Sequence, residues 1–229
     1  MNGGQKELSA LKKQENTNAW VSVYDYLKEA IIKGTYGPGE KLNEREIAEL
    51  MKVSRTPTRE ALRMLEHEGF VSTTARRGVA VKKYSPEELD TLHKMLIRLE
   101  SLAVEMAAPK LTDADILLLE KMTNRMKSLV EKRNYREYLT VNFEFHLFFA
   151  RKTESKELLD TVTSLRTKIF RFYYAQITLR EDTALWVRHH QEIIDALAGK
   201  SSAKPHRIME RHIDHARQHF LKFYRSFGS

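Results

Sequence analysis

Residues 53–71, VSRTPTREALRMLEHEGFV, combine a polar and cationic start with an amphipathic continuation. Ser54 is a residue type that caps helix N-termini, and Pro57 falls in the first turn, where a missing N–H does no harm. The stretch therefore predicts a helix whose beginning projects Arg55 and Arg59 outward. Its predicted buried face consists of Ala61, Leu62, Leu65 and Phe70.

The neighbouring residues predict two helices before this one and two strands after it. Asn43 and Glu46 fit a capping box that opens the second helix. The segment TYGPGEKL, which precedes that helix, is predicted as a turn. The predicted elements are helices over 21–33 and 44–51, the helix that opens at Ser54, and strands over 70–74 and 79–83. This order is three helices followed by a two-stranded wing.

Positive charge is concentrated in the same part of the chain. Residues 52–83 contain eight Lys or Arg and three acidic residues, a net +5 out of +8 for the 229-residue chain. A helix N-terminus in a major groove places arginines against guanine, and its free N–H groups favour phosphate. Arg76 and Arg77, at the predicted wing tip, are placed to reach a minor groove or the DNA backbone. This distribution favours DNA binding over the alternative of a solvated basic face.

The composition excludes several classes of protein and site. The chain has no cysteine, so disulfides, thiolate zinc sites and cysteine nucleophiles are excluded. It has no apolar run long enough for a transmembrane helix, and residues 1–17 are expected to form a polar, flexible arm. We therefore expect a cytoplasmic protein.

The second part of the chain is helical in pattern. Seven of the nine glycines and two of the five prolines lie before residue 84, so a turn-rich domain precedes a turn-poor one. We predict a DNA-binding domain over 18–84 and an all-α domain over 85–227. In the all-α domain, one predicted helix begins at Ser85 and another at Thr112. Further helices are predicted over roughly 134–151, 155–179, 183–198 and 202–226. The expected fold class is mainly α.

The stretch from Lys33 to Val81 resembles the winged helix-turn-helix domain of the GntR family of bacterial transcriptional regulators. The matching pieces include Pro38-Gly39, Arg45-Glu46, VSRTP over 53–57, REAL over 59–62, and Arg77-Gly78. Because one winged domain of this size makes few base contacts, we expect a homodimer that binds a palindromic operator. The residues that the resemblance and the wing position assign to DNA contact are Arg45, Arg55, Thr56, Arg59, Arg77 and Gly78.

Three histidines stand on apolar helical segments of the second domain. Asn142 and His146 are four residues apart and share one helix face, and His190 and His212 lie among isoleucines and methionine. By spacing alone, hydrogen-bonded or solvent-facing histidines are a better interpretation than a metal site. It also stays open whether His189 or His190 faces inward.

The domain from about residue 86 to 226 looks like the FCD type of GntR effector domain, an all-α bundle. Its pattern Asp-x-x-x-His appears here as Asn142 to His146, and its later histidines appear as His190 and His212. The resemblance implies a divalent metal held by Asn142, His146, His190 and His212. Because Asn142 replaces a carboxylate, we expect Zn²⁺ or Ni²⁺ rather than Mn²⁺ or Mg²⁺.

A metal with open coordination positions suits a small carboxylate effector, with Arg166 and Arg171 as candidate partners. The expected function is a ligand-responsive dimeric regulator, a repressor or, as the second possibility, an activator. The alternatives are an acyl-CoA-type or metal-free effector site, a purely architectural DNA binder, and a metal-dependent hydrolase. The hydrolase needs a general base near bound water, and Glu144 and Glu192 are both offset from the histidine face.

Overall fold

The computed structural model describes residues 19–74, 78–177 and 183–227. Contacts divide the chain into two compact units, Met1–Lys83 and Tyr84–Ser229. The predicted arm over 1–17 and Arg77 lie outside the described residues. Within those residues, none of the helices combines the length and apolar character needed to cross a membrane.

Within its described residues, the first unit consists of three helices and a small sheet around one core. Its elements in chain order are α1 (19–32), β1 (Lys41–Leu42), α2 (Glu44–Met51), α3 (Arg55–His67), β2 (Val71–Thr74) and β3 (Gly78–Val81). The strands are antiparallel in the order β1-β3-β2, with Leu42 opposite Val79 and Val71 opposite Val81. The core contains Val23, Leu27, Ile47, Ala61, Leu62, Leu65 and Phe70.

Two local predictions in this unit were wrong. Lys41 and Leu42, predicted as part of a turn, form a third strand, because Leu42 is buried and pairs with β3. Ser54 occupies the N-cap of α3 but makes no side-chain capping bond, and Thr58 Oγ1 instead donates to the Ser54 carbonyl. The expected three helices and wing are otherwise present.

The turn between α2 and α3 sets the position of the first turns of α3. Lys52 ends α2 with a left-handed φ of 53°, and its N–H donates to the carbonyls of Ala48 and Glu49. The chain is then redirected so that α3 begins at Arg55. Since α3 buries Ala61 and Leu65, the residues of its first turns that lie off this face remain in solvent.

The described residues of the second unit form a bundle of six α-helices. They are α4 (Pro86–Ala107), α5 (Asp113–Glu131), α6 (Tyr135–Lys152), α7 (Lys156–Ile177), α8 (Thr183–Leu197) and α9 (Pro205–Phe227), with a 3-10 turn over Ala108–Lys110. Ser85 with Glu88 and Thr112 with Asp115 form the capping boxes that open α4 and α5. The most extensive packing joins α4 to α9, and α4 also packs against α6 and α7.

The bundle core is mainly apolar, and one group of buried polar side chains lies within it. Its large buried side chains include Leu96, Leu119, Met126, Tyr138, Phe145, Phe149 and Ile169. Within this core lie the buried polar residues Glu100, His146, Arg166, His190 and His212. Buried polar groups are costly unless they are paired or bind something, so this centre is the first candidate for a site.

Candidate metal centre and nucleic-acid interface

Three histidine rings converge through their Nε2 atoms. His146 Nε2 lies 3.3 Å from His190 Nε2 and 3.3 Å from His212 Nε2. One ring nitrogen from each of the three lies within 4.8 Å of the others. The rings come from α6, α8 and α9, so only the folded bundle assembles them.

A carboxylate from a fourth helix fixes the orientation of His146. Glu100, on α4, is 1% exposed and accepts a hydrogen bond from His146 Nδ1 at 2.6 Å. Because a carboxylate only accepts, the proton of this ring lies on Nδ1 and Nε2 carries a lone pair. A carboxylate behind a histidine is the arrangement that orients metal ligands in proteins.

Glu100 is also held by a cation from α7. Arg166 Nε and Nη2 both donate to the Glu100 carboxylate, the latter at 2.7 Å to Oε2. One carboxylate therefore joins α4, α6 and α7. The bidentate pair neutralises a charge that would otherwise be isolated in the core.

The electrostatics keep the three rings neutral. Burial lowers the pKa of His146, His190 and His212 well below the ordinary value, and the Arg166 cation lowers each of them further. Neutral imidazole is the form that binds a metal ion, and three protonated rings at this distance would repel one another.

The donor set fits a divalent ion. Imidazole nitrogens lie about 2.0–2.1 Å from zinc, and tetrahedral angles then place two such nitrogens about 3.3 Å apart. This is the separation of His146 Nε2 from both other Nε2 atoms. The Nδ1 atoms of His190 and His212 are buried without a hydrogen-bond partner among the described residues, so the shell around these two rings is less complete than that around His146.

A small cavity adjoins the cluster. It has a volume of about 40 Å³, and its lining includes Asn142, His146, Arg166, Trp186 and His212. This exceeds the roughly 10–15 Å³ that one water occupies but is far below the several hundred cubic ångströms of a typical ligand pocket. In this conformation the cavity has room for an ion with a water and not for an organic acid.

The structure thus brings most of the candidate centre together. His190 is fully buried in the cluster, whereas the His189 ring packs against His212 and His215. Asn142 lines the cavity beside the cluster. Arg171 lies on α7, but its side chain is outside the described part of the structure.

Arg166 lines the same cavity, and it is already paired with Glu100. The role of Glu100 was not predicted from the sequence, because residues 98–102, RLESL, have the pattern of an ordinary amphipathic helix. The available signal was its position: Leu96, Ala103 and Val104 place Glu100 on the apolar face of α4.

The candidate DNA residues that the structure describes, which exclude Arg77, are exposed. Arg55 and Thr56 stand at the start of α3, and Arg45 lies on α2 with a long ion pair to Glu49 at 3.7 Å. Gly78 begins β3 with a φ of +73°, a conformation that favours glycine.

Among the described candidate DNA residues, Arg59 has a closer acid partner than Arg45. Its Nη2 and Nε donate to the two carboxylate oxygens of Glu44, at 2.8 and 3.2 Å. These hydrogen bonds raise the pKa of Arg59 above its ordinary value. The guanidinium is therefore oriented on an exposed surface.

Comparisons with known proteins agree with this two-part architecture. The sequence profile described as bacterial regulatory proteins, gntR family, matches residues 21–81, and that of the FCD domain matches residues 91–215. The chain is 30% identical over 230 residues to the Uxu operon regulator of Haemophilus influenzae, covering 90% of this chain and 84% of that one. It is 28% identical over 212 residues to the HTH-type transcriptional regulator YdhC of Bacillus subtilis, covering 91% and 93%.

Solved structures show the same fold. E. coli McbR/YncC superposes with a TM-score of 0.75 at 22% identity, over 90% of this chain and 98% of that one. The matching families and the relatives named above are those of DNA-binding transcriptional regulators and not of enzymes. The chain belongs to the GntR family of bacterial transcriptional regulators, in the branch with an FCD domain. The predicted family and mainly α fold are confirmed.

Proposed function

We propose that this regulator binds a palindromic operator as a homodimer and senses a small carboxylate through a metal ion in its FCD domain. The observation that carries the sensing part is the convergence of three neutral Nε2 atoms beside a cavity. The operator, the effector and the choice between repression and activation are matters for experiment.

The DNA part rests on the exposed start of α3. Arg55, Thr56 and Arg59 lie together in its first turns, and an α-helix entering a major groove reads bases with those turns. Arg45 is placed for the flanking backbone, and Gly78, with Arg77, is assigned to the wing contact. Two such units related by a twofold axis read a palindrome.

In vitro selection from a random pool tests this reading. The selected sites should be palindromic, and Arg55→Ala or Arg59→Ala should each lose about 1–3 kcal/mol of discrimination at one base pair per half-site. A Glu60→Gln variant, altered on the same helix, serves as the control. Sites without symmetry, or arginine variants that select the same sites with the same stringency, would contradict the proposal.

The homodimer part rests on an apolar stripe along α4. Met95, Leu102 and Met106 are 46%, 43% and 39% exposed, and with the half-buried Leu99 they repeat at intervals of four, three and four residues. This is the spacing of a helix–helix seam. A twofold axis near Leu102 would bring Arg98 of each subunit towards Glu105 of the other.

Sedimentation of the full chain tests the seam. Leu102→Glu should convert a dimer into a monomer, because it places two like charges in an apolar contact across the axis. Leu118→Glu, at an equally exposed leucine on α5, is the control and should remain dimeric. A dimeric Leu102→Glu protein would show that another face is used.

The metal part rests on the donor chemistry. His146, His190 and His212 would hold the ion, and the Asn142 amide oxygen is a neutral fourth candidate. Three imidazoles and no carboxylate favour Zn²⁺ or Ni²⁺ over hard cations. When bound, the ion supplies positive charge and open positions for a carboxylate. Elemental analysis of protein purified without a histidine tag, with melting curves in the presence and absence of chelator, tests this directly.

The effector part follows from Arg166 and the cavity. Glu100 occupies Nε and Nη2 of Arg166, and among the described residues no acceptor is assigned to its Nη1. That group and Arg171 are the proposed carboxylate partners. Because the cavity is about 40 Å³, an acid must enlarge it to bind, and a conformational response is then built into binding. A screen of small acids by thermal shift, with Arg166→Lys as the comparison, would identify it.

The alternatives are less well supported. A long acyl chain needs a much larger cavity than the one beside the histidines. For a hydrolase, Glu144 pairs with Arg151 and Glu192 pairs with Arg211, and the relatives are regulators. A metal-free centre, in which the histidines contact the effector directly, would be indicated by protein that carries no metal and does not respond to chelator.

A further inference from the structure

We infer that Glu44 is a positioning residue for DNA readout, holding Arg59 so that its free edge addresses a guanine. The inference rests on the proposed function, because it takes Arg59 as a base-reading residue. It adds a residue whose own charge is of the wrong sign for binding DNA.

The contact between the two residues uses one defined edge of the guanidinium. Arg59 Nε and Nη2 donate to Glu44 Oε2 and Oε1. These N–H groups form the side edge of the plane, which leaves the Nη1–H groups and the second Nη2–H at the end. Bidentate recognition of guanine O6 and N7 needs two parallel N–H donors, and this end edge provides them.

The supporting element is fixed. Glu44 is the first residue of α2, where Asn43 caps the helix by accepting from the Arg45 N–H at 3.0 Å. The Glu44 side chain is 28% exposed, against 58% for Arg59. A carboxylate on a capped helix thus restrains a longer side chain from the neighbouring helix, 15 residues away. Preorganisation of this kind reduces the entropy lost when a flexible side chain binds.

The net charge of the Glu44–Arg59 pair distinguishes a base-reading role of Arg59 from a phosphate-binding role. The pair is neutral, so it contributes little to the general attraction of phosphates, which depends on net positive charge. If Arg59 contacted only phosphate, removal of the Glu44 carboxylate would strengthen that contact, because Arg59 would then carry an unneutralised positive charge. Arg55, at the other end of the same helical turn, has no ion pair among the described residues, and its environment is that of an unrestrained cation.

The prediction is that Glu44→Gln acts in opposite directions on specific and non-specific binding. In the full chain, the ratio of operator to non-specific affinity should fall about five- to tenfold, because Arg59 loses its orientation. Affinity for a non-specific duplex of the same length should stay equal or rise, because one negative charge is removed. Glu60→Gln, which makes the same charge change on α3, should leave the ratio unchanged.

The experiment is a set of titrations on an operator obtained by in vitro selection, with circular dichroism to verify folding. The proteins are the wild type, Glu44→Gln, Arg59→Ala, the double variant and Glu60→Gln. In the Arg59→Ala background, Glu44→Gln should no longer change the ratio, which is the signature of a residue that acts through Arg59.

Three results would overturn the inference. An unchanged ratio in Glu44→Gln, with discrimination lost in Arg59→Ala, would leave Arg59 as a reader without Glu44. Tighter operator binding by Glu44→Gln would make Glu44 a restraint on DNA binding. An unchanged ratio in Arg59→Ala would instead remove the proposed role of Arg59, and the inference with it.

Discussion

The two units of this protein contain the same chemical pair in opposite settings. In the first, Glu44 accepts two hydrogen bonds from Arg59 on an exposed surface. In the second, Glu100 accepts two from Arg166 inside the helical core, where the two side chains are 1% and 8% exposed. The exposed pair leaves an edge of the arginine turned to solvent, whereas the buried pair neutralises its charges and positions His146. The two pairs differ in setting and not in chemistry, and we propose recognition for the exposed pair and architecture for the buried one.

The largest expected effect comes from breaking the buried pair. Glu100→Ala should lower the free energy of unfolding of the helical unit by about 3–5 kcal/mol, because it leaves Arg166 charged and unpaired in the core. Urea unfolding in chelator, followed by Trp186 fluorescence in a Trp20→Phe background, reports on that unit alone. Glu131→Ala, exposed at the end of α5, should have little effect. A loss below about 1 kcal/mol for Glu100→Ala would mean that the core relaxes around Arg166.

The next effect concerns metal-linked stability. Zn²⁺ or Ni²⁺ at about 100 times its dissociation constant should stabilise the helical unit by about 2.7 kcal/mol. His146→Ala should abolish the response, and Asn142→Asp should strengthen it by adding a charged ligand. His189→Ala keeps all three clustered rings and is the control, measured by thermal melts with and without chelator. A metal response that survives His146→Ala would place the ion elsewhere.

The pH dependence of stability sharpens the same contrast between buried and exposed groups. Burial lowers the pKa of His93 from 6.5 to about 4. At pH 5 this ring is protonated in the unfolded chain and neutral in the fold, so the unfolded state binds the extra proton. The contribution of His93 to the free energy of unfolding is therefore complete above pH 6.5 and falls as pH drops towards 4. The decrease between pH 7 and pH 5 is about 2 kcal/mol.

Substitution of His93 isolates that contribution. The other buried histidines shift in the same direction, so a His93→Leu variant should lose about 2 kcal/mol of the pH dependence and keep the rest. Urea unfolding at pH 7 and 5, in chelator, measures the difference. An equal pH dependence in wild type and variant would show that His93 is already protonated in the fold.

The smallest effect is expected from the exposed pair. Glu44→Gln should leave the melting temperature unchanged within error, because exposed ion pairs are screened by solvent and held at an entropic cost. The measurement is a thermal melt of the first unit followed by Trp20 fluorescence in a Trp186→Phe background. A clear destabilisation would mean that the pair supports the fold and that the DNA effects of this variant are indirect.

Local patterns predicted much of the architecture. Helical spacing and the capping boxes at Ser85 and Thr112 located the helices of the bundle, because these signals lie within a few residues of one another. The strand over Lys41–Leu42 was missed because two residues carry no period, and only pairing with β3 defines it. The sequence placed Ser54 correctly at the N-cap of α3, but not the hydrogen bond that forms there. Thr58 Oγ1 donates to the Ser54 carbonyl, and side-chain rotamers decide this.

The candidate centre was only partly accessible from the sequence. His146, His190 and His212 were selected through the family resemblance, since their spacing along the chain does not bring them together. Glu100 was missed, and Arg166 was predicted as an effector partner without its carboxylate. The 66 residues between these two side chains explain both gaps, because such a contact exists only after α4 and α7 have packed.

The packing of α4 against α9 has a consequence for the order in which a new chain matures. Ser101 on α4 donates to the His206 carbonyl on α9, 105 residues later, and Asp90 pairs with Arg217. The helical unit therefore closes only after α9 has been synthesised, whereas the described core of the first unit consists of residues before Tyr84. Domains fold as units during synthesis, the N-terminal one first. We therefore expect the first unit, with its proposed DNA-reading surface, to complete its fold before the histidine centre of the second unit does.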